Sequence, residues 1–210
     1  TMDNSQHLPN SVYVVFAIDP DYPCINRYML HEIIKMSGAH LKSIIDAPSA
    51  VANLYALEKS QLYNKSPKTV VFFDVGAEKS WMSVFSFKKT PSNPIVKQLS
   101  LISNIPISGS MIDERLANYF IHLFSKENNF DFQLPLKARL AFVDSARRIK
   151  ERLSLHESVD VKIEDVYMNK SFETTITKEV FENLLKDFNE TITNSYLELI
   201  DRAHLTRSEI

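Results

Sequence analysis

The stretch SVYVVFAI, residues 11–18, is apolar at nearly every position and rich in β-branched side chains, which predicts a strand. From about Arg27 to Ser37 the apolar residues fall at helical spacing, and Gly38 stands where a left-handed residue would end that helix. LKSIID (41–46) predicts a short strand, and Pro48 suits the first turn of a helix reaching about Leu57. The polar EKSQLYNKSPK that follows reads as a loop or hinge between two sub-structures. Strands near 69–74, 80–88 and 95–102, separated by turns at Asp74–Gly76 and at TPSNP, then predict a β-meander.

Beyond residue 107 the period becomes helical. Ile112, Leu116, Phe120 and Phe124 share one face, as do Leu136, Leu140, Val143, Ile149 and Leu153, so two amphipathic helices are expected to bury these residues. SVDVKIEDV and SFETTI alternate as two paired strands around the turn YMNK. Thr177 is placed to cap a helix carrying Val180, Phe181, Leu184 and Phe188, and a last helix is expected from about Glu190 to Ala203. Trp81 and the phenylalanines follow these periods and are assigned to the core.

Composition narrows what such a chain can do. Its 210 residues can bury one substantial core or two small ones. A net charge of −2 supplies no basic field for nucleic acid or anionic lipid, and no apolar run reaches the length of a membrane span. The single cysteine, Cys24, permits no intrachain disulfide, and His31, His40 and His156 lack the spacing of a zinc site. Only three glycines are present, so no Gly-x-Gly-x-x-Gly or Walker cradle exists. The polar start, residues 1–10, reads as a frayed or added terminus.

One hairpin nevertheless has the frame of a phosphate site. In TVVFFDVGAEKSWMSVFSF (69–87) an aspartate and a glycine separate two strands, but Ala77, Glu78 and Lys79 stand where glycines would let backbone amides approach an anion.

Taken in order, the segments resemble the second half of the nucleotide-binding domain of the seventy-kilodalton heat-shock chaperones. IIDAPSAVANLYAL is similar to that family's I-N-E-P-T-A-A-A-x-A-Y-G, and VVFFDVGAEKSWMSVFSF to F-D-L-G-G-G-T-x-D-V-S. ISGSMIDERLANYF resembles L-G-G-E-D-F-D-N-R-M-V-N-H-F, and LAFVDSARRIKERLS resembles L-R-x-A-C-E-R-A-K-R-T-L-S. FFDVG and LTRSEI fit the divergent large stress proteins, the 110- and 170-kilodalton branches, better than an orthodox chaperone.

The resemblance implies an α/β, actin-like and ribonuclease-H-like ATPase domain fragment, mainly lobe II, with a mixed sheet and a helical subdomain. It assigns 11–60 to part of lobe I, 61–107 to the meander at the base of lobe II, 108–188 to its helical and β tip, and 189–210 to a closing helix. It also implies that the chain is a portion of a longer chaperone that holds ATP or ADP with magnesium. Other chaperones or exchange factors would dock on lobe II, and unfolded clients on regions outside these residues.

Carried over position by position, the family's nucleotide contacts fall on Asp74, Gly76, Lys150 and Ser154. The departures lie around them. Ala47 replaces a glutamate, Arg147 a second glutamate, and Glu151 the arginine that stacks on adenine, a contact worth roughly 0.5–2 kcal/mol. Ser108 and Ser110 replace a glycine and an acid beside Gly109, and Asp19 replaces a proline thought to relay nucleotide state. Arg147 and Glu151, four residues apart, are expected to pair across the groove where the base would sit.

The expectation is a divergent folding chaperone with eroded nucleotide contacts, which as an isolated fragment turns over no ATP and binds nucleotide weakly. The alternative is a pseudo-ATPase module that regulates a partner chaperone without nucleotide. An actin-like or sugar-kinase enzyme would share the fold but not the ARRIKERLS match. Asn-x-Ser/Thr patterns at Asn64, Asn169 and Asn189 tilt the compartment toward the endoplasmic-reticulum lumen over the cytoplasm.

Overall fold

The structure, a computed structural model, describes residues 12–63, 66–130 and 133–210. Asn64 and the first ten residues lie outside the described residues. The chain divides into two compact units. One comprises Thr1–Phe73, Met82–Asn104 and Glu198–Ile210, the other Asp74–Trp81 and Ile105–Leu197.

In the first unit, strands β1 (Tyr13–Ile18) and β2 (His40–Asp46) pair in parallel, with a bulge that slips the register between Val14 and Val15. Helix α1 (Cys24–Met36) joins them. It starts three residues earlier than its apolar pattern predicts, because Pro23 already fixes the backbone ahead of it. Gly38 adopts φ +79° just after the helix, as the sequence requires. Helix α2 (Ala47–Glu58) is capped by Asp46, whose carboxylate accepts from the Ser49 amide and hydroxyl, each at 2.9 Å, and Pro48 sits in its first turn. A short 3-10 helix, Ser60–Tyr63, lies within the expected loop.

Strands β3 (Lys68–Val75), β4 (Ser80–Lys88) and β5 (Ile95–Ile105) form one sheet in chain order. Ala52, Ala56, Tyr63, Phe85 and Phe87 make the core of this unit. Tyr63 donates its hydroxyl to the Ala56 carbonyl, and burial pushes its pKa up.

The second unit is an αα-hairpin backed by a β-hairpin. Helices α3 (Gly109–Glu127) and α4 (Leu136–Leu153) pack against strands β6 (Ser158–Tyr167) and β7 (Lys170–Thr177), which pair antiparallel. Met168 and Asn169 at the hairpin tip both have positive φ, which brings Tyr167 opposite Lys170. Phe120, Phe124, Phe142 and Phe172 form the centre of the core, with Phe142 and Phe172 ring centroids 5.4 Å apart.

Two expectations fail here. Leu136 and Leu140 are 69% and 52% exposed: α4 buries Ile149 and Leu153 as expected, but nearer its start it turns Ala138, Phe142 and Ala146 inward instead. The helix capped by Thr177 is also shorter than its periodicity suggests. It ends as α5 (Lys178–Leu184), and Phe188 belongs to α6 (Lys186–Arg202).

Arg115 on α3 holds that break. It donates to the Leu184 carbonyl at 3.1 Å and to the Asp187 carboxylate, and its guanidinium lies 4.4 Å from the Phe188 ring centroid. The hydrogen bond from Arg115 holds the Asp187 pKa below its ordinary value. A lowered folded-state pKa stabilises above the unfolded value, near 3.9, and that share is lost as pH falls through the folded value. Replacing Arg115 by alanine should therefore raise the Asp187 midpoint in a carboxyl NMR titration. The stability gap between wild type and variant should narrow below the ordinary carboxylate range. An unmoved midpoint would show that Arg115 does not set it.

Candidate functional site

The site is the turn between β3 and β4 together with the start of α3, all within the second unit. Asp74 is exposed near the end of β3. Gly76 cannot be replaced without moving backbone, since a Cβ there would come within 2.8 Å of the Lys79 carbonyl oxygen. The same Gly76 donates its amide to that oxygen at 2.9 Å, closing the turn on itself. Ala77, Glu78 and Lys79 are exposed around it.

A helix N-terminus carries several amides with no intrahelical partner, which makes it a ready anion site. Those of α3 have partners here. Gly109 donates to the Gly76 carbonyl at 2.9 Å and Ser110 to the Ala77 carbonyl at 2.8 Å, with the Ser110 hydroxyl on that same oxygen at 2.8 Å. Met111 donates to the hydroxyl of the capping residue Ser108 at 3.3 Å. The Ser80 hydroxyl donates to the Ile107 carbonyl, tying β4 to the chain just before the cap.

Lys150 reaches this cluster from α4. Its ammonium lies 2.6 Å from Asp113 Oδ1 and donates to the Gly109 carbonyl at 3.3 Å. The Asp113 side chain is 10% exposed and that of Lys150 25%, and their contact is an ion pair held by charge rather than by an aligned hydrogen bond. Asp113 is a member of this cluster that the motifs alone do not single out. Its signal is nevertheless present in the sequence: it shares a helix face with Leu116, Phe120 and Phe124, where a lone carboxylate needs a partner.

Gly76, Gly109 and Lys150 are thus brought together, and Asp74 lies beside them, its Oδ1 3.8 Å from where a Gly76 Cβ would stand. Ser154 is not part of the cluster. It caps α4, is exposed, and donates its hydroxyl back to the Glu151 carbonyl at 2.6 Å. The expected Arg147–Glu151 ion pair does not form among the described residues. Both side chains are exposed, and an arginine placed N-terminal to its acid is the weaker orientation of an i,i+4 pair.

Comparison with known proteins gives this arrangement its setting. The family profile described as Hsp70 protein matches residues 10–210. The chain belongs to the Hsp70 family. Heat shock protein 70 homolog lhs1 of Schizosaccharomyces pombe is 24% identical over 94% of the chain. A heat shock protein homolog of Saccharomyces cerevisiae is 23% identical over 96% of it, and chaperone protein DnaK of Thermoplasma volcanium is 26% identical over 83%. The chain spans about a quarter of the length of these relatives, from 24% to 29%. At such identities it is a divergent Hsp70-family member, of the large stress-protein type. The family implies an actin-like ATPase fold and a role related to chaperones, and its proteins bind ATP or ADP with magnesium. Among the described residues no helix is long and apolar enough to cross a membrane.

The Asp113–Lys150 pair yields a test. Lys150→Met leaves a largely buried carboxylate without its cation and should cost about 3 kcal/mol of unfolding free energy in urea. Adding Asp113→Leu to it should recover most of that loss. Equal destabilisation by the single and double changes would show that the pair is not coupled.

Proposed function

We propose that this chain is the lobe II portion of the nucleotide-binding domain of a divergent heat-shock chaperone, and that its nucleotide contacts are eroded. The reading rests on the engagement of donors at the turn and at the start of α3. The amides of Gly76, Gly109, Ser110 and Met111 each have a partner inside the protein, and Lys150 is committed to Asp113 and Gly109. Ala77 and the carboxylate-bearing Glu78 stand on the turn where the family has glycines, and Lys79 stands where it has a threonine. ATP does not fit this turn as it stands, and no catalytic step is assigned to it.

The parent protein assists folding together with other chaperones or exchange factors, which dock on the helical and β tip at 108–188. Unfolded clients bind parts of the parent outside this chain. The engaged donors equally favour a second reading, a pseudo-ATPase module that regulates a partner chaperone with no nucleotide at all. The endoplasmic-reticulum lumen is the proposed compartment. Asn169 supports it as an exposed acceptor on a hairpin turn, whereas Asn189 lies within α6.

Calorimetric titration of the chain with magnesium-ATP tests the erosion. The expected result is no saturable heat at micromolar concentrations. An affinity of about −8 kcal/mol or better, the equivalent of micromolar binding, would overturn it.

A further inference from the structure

The leucines that α4 fails to bury line a groove. Leu136, Leu140 and Val143 form a stripe along α4, facing Ile121 of α3, and the space between the two helices holds about 260 Å³. The helices run antiparallel, since Lys150 meets Gly109 and Asp113 at one end while Phe142 meets Phe124 toward the other. Arg139 therefore lies at the Ile121 end of the groove and Glu114 at the Val143 end. Residues 136 to 143 cover roughly 10 Å, two helical turns.

Charge identifies what such a groove takes. Helix α4 carries six basic residues against two acidic ones, on a chain whose net charge is −2. Arg139 is in the groove wall between Leu136 and Leu140, and the exposed Arg147 lies one turn beyond Val143 on the same stripe. Among the described residues Glu114 is the one carboxylate in the wall. A second copy of the chain would set one basic α4 against another, which like-charge repulsion disfavours.

From this we infer that the groove between α3 and α4 docks an acidic amphipathic helix of a partner protein. Leucine-type side chains at i, i+3, i+4 and i+7 fill it, and carboxylates meet Arg139 and Arg147. This deepens the reading that partners dock on residues 108–188 and rests on it. Glu114 gives the occupant a direction, with its acidic residues concentrated toward Arg139.

The test uses the full-length parent and a helical peptide of about 16 residues, long enough to hold a helix, built from glutamate and photo-reactive leucine at that spacing. A lysine counterpart is the control. The acidic peptide should cross-link to α3 and α4, and the lysine peptide should not. Arg139→Glu should weaken the acidic peptide by about tenfold and admit the lysine one. Leu140→Glu should abolish binding, and the milder Leu140→Ala should weaken it; both replace a side chain already half exposed, so the fold persists. Cross-links confined to other regions, unchanged binding in these variants, or dimers of the parent that disappear with Leu140→Glu would each overturn the inference. Should the peptide behave as described while Leu140→Glu leaves association with a partner chaperone intact, the groove stands and chaperone docking on 108–188 fails.

Discussion

Two carbonyl oxygens of the 76–79 turn point at the first two amides of α3, at 2.9 and 2.8 Å. Buried backbone groups must be paired, and here each solves the other's problem: the turn supplies acceptors to a helix start, and the helix start supplies donors to a turn. The positive end of the helix, which in a phosphate-binding protein would face the ligand, faces protein instead. Lys150 completes the arrangement. Its ammonium fastens α4 to a carbonyl of the same helix start and neutralises Asp113 one turn further in.

On the proposed reading, two kinds of drift follow from that pairing. Once the amides are satisfied internally, side chains at Ala77, Glu78 and Lys79 cost nothing in binding, because no anion has to approach them. With Lys150 paired to Asp113, the same reading leaves Arg147, Glu151 and Ser154 with no nucleoside to hold, and Ser154 closes the end of its own helix. The fold can persist through such changes because it is held elsewhere, by the cluster of Phe120, Phe124, Phe142 and Phe172.

Much of the fold was legible because it depends on local chemistry. Gly38, Pro48, Thr177 and the Met168–Asn169 turn each act through their own backbone angles or caps, and each does so in the structure. The exposed stripe of α4 was not legible. Leu136 and Leu140 continue a valid helical period, and only the neighbouring helix decides which of two apolar stripes it covers. The break at Leu185 was equally hidden, since it depends on Arg115, about seventy positions earlier in the chain. At the site, the residues around Gly76 could be named from sequence, but their partners could not. Which donors are engaged is a question of tertiary hydrogen bonding, and the Asp113–Lys150 contact appears only once α3 and α4 are side by side.

If the nucleotide contacts are eroded as proposed, the amides of Gly76, Gly109 and Ser110 keep their protein acceptors whether or not nucleotide is present. Amide NMR of the isotopically labelled protein, titrated with magnesium-ADP, reads those three groups directly. Their resonances are expected to stay in place and their hydrogen exchange to stay slow at nucleotide concentrations that saturate an orthodox relative. Saturable shifts at Gly109 and Ser110, with the Gly76 resonance moving in step, would contradict that expectation.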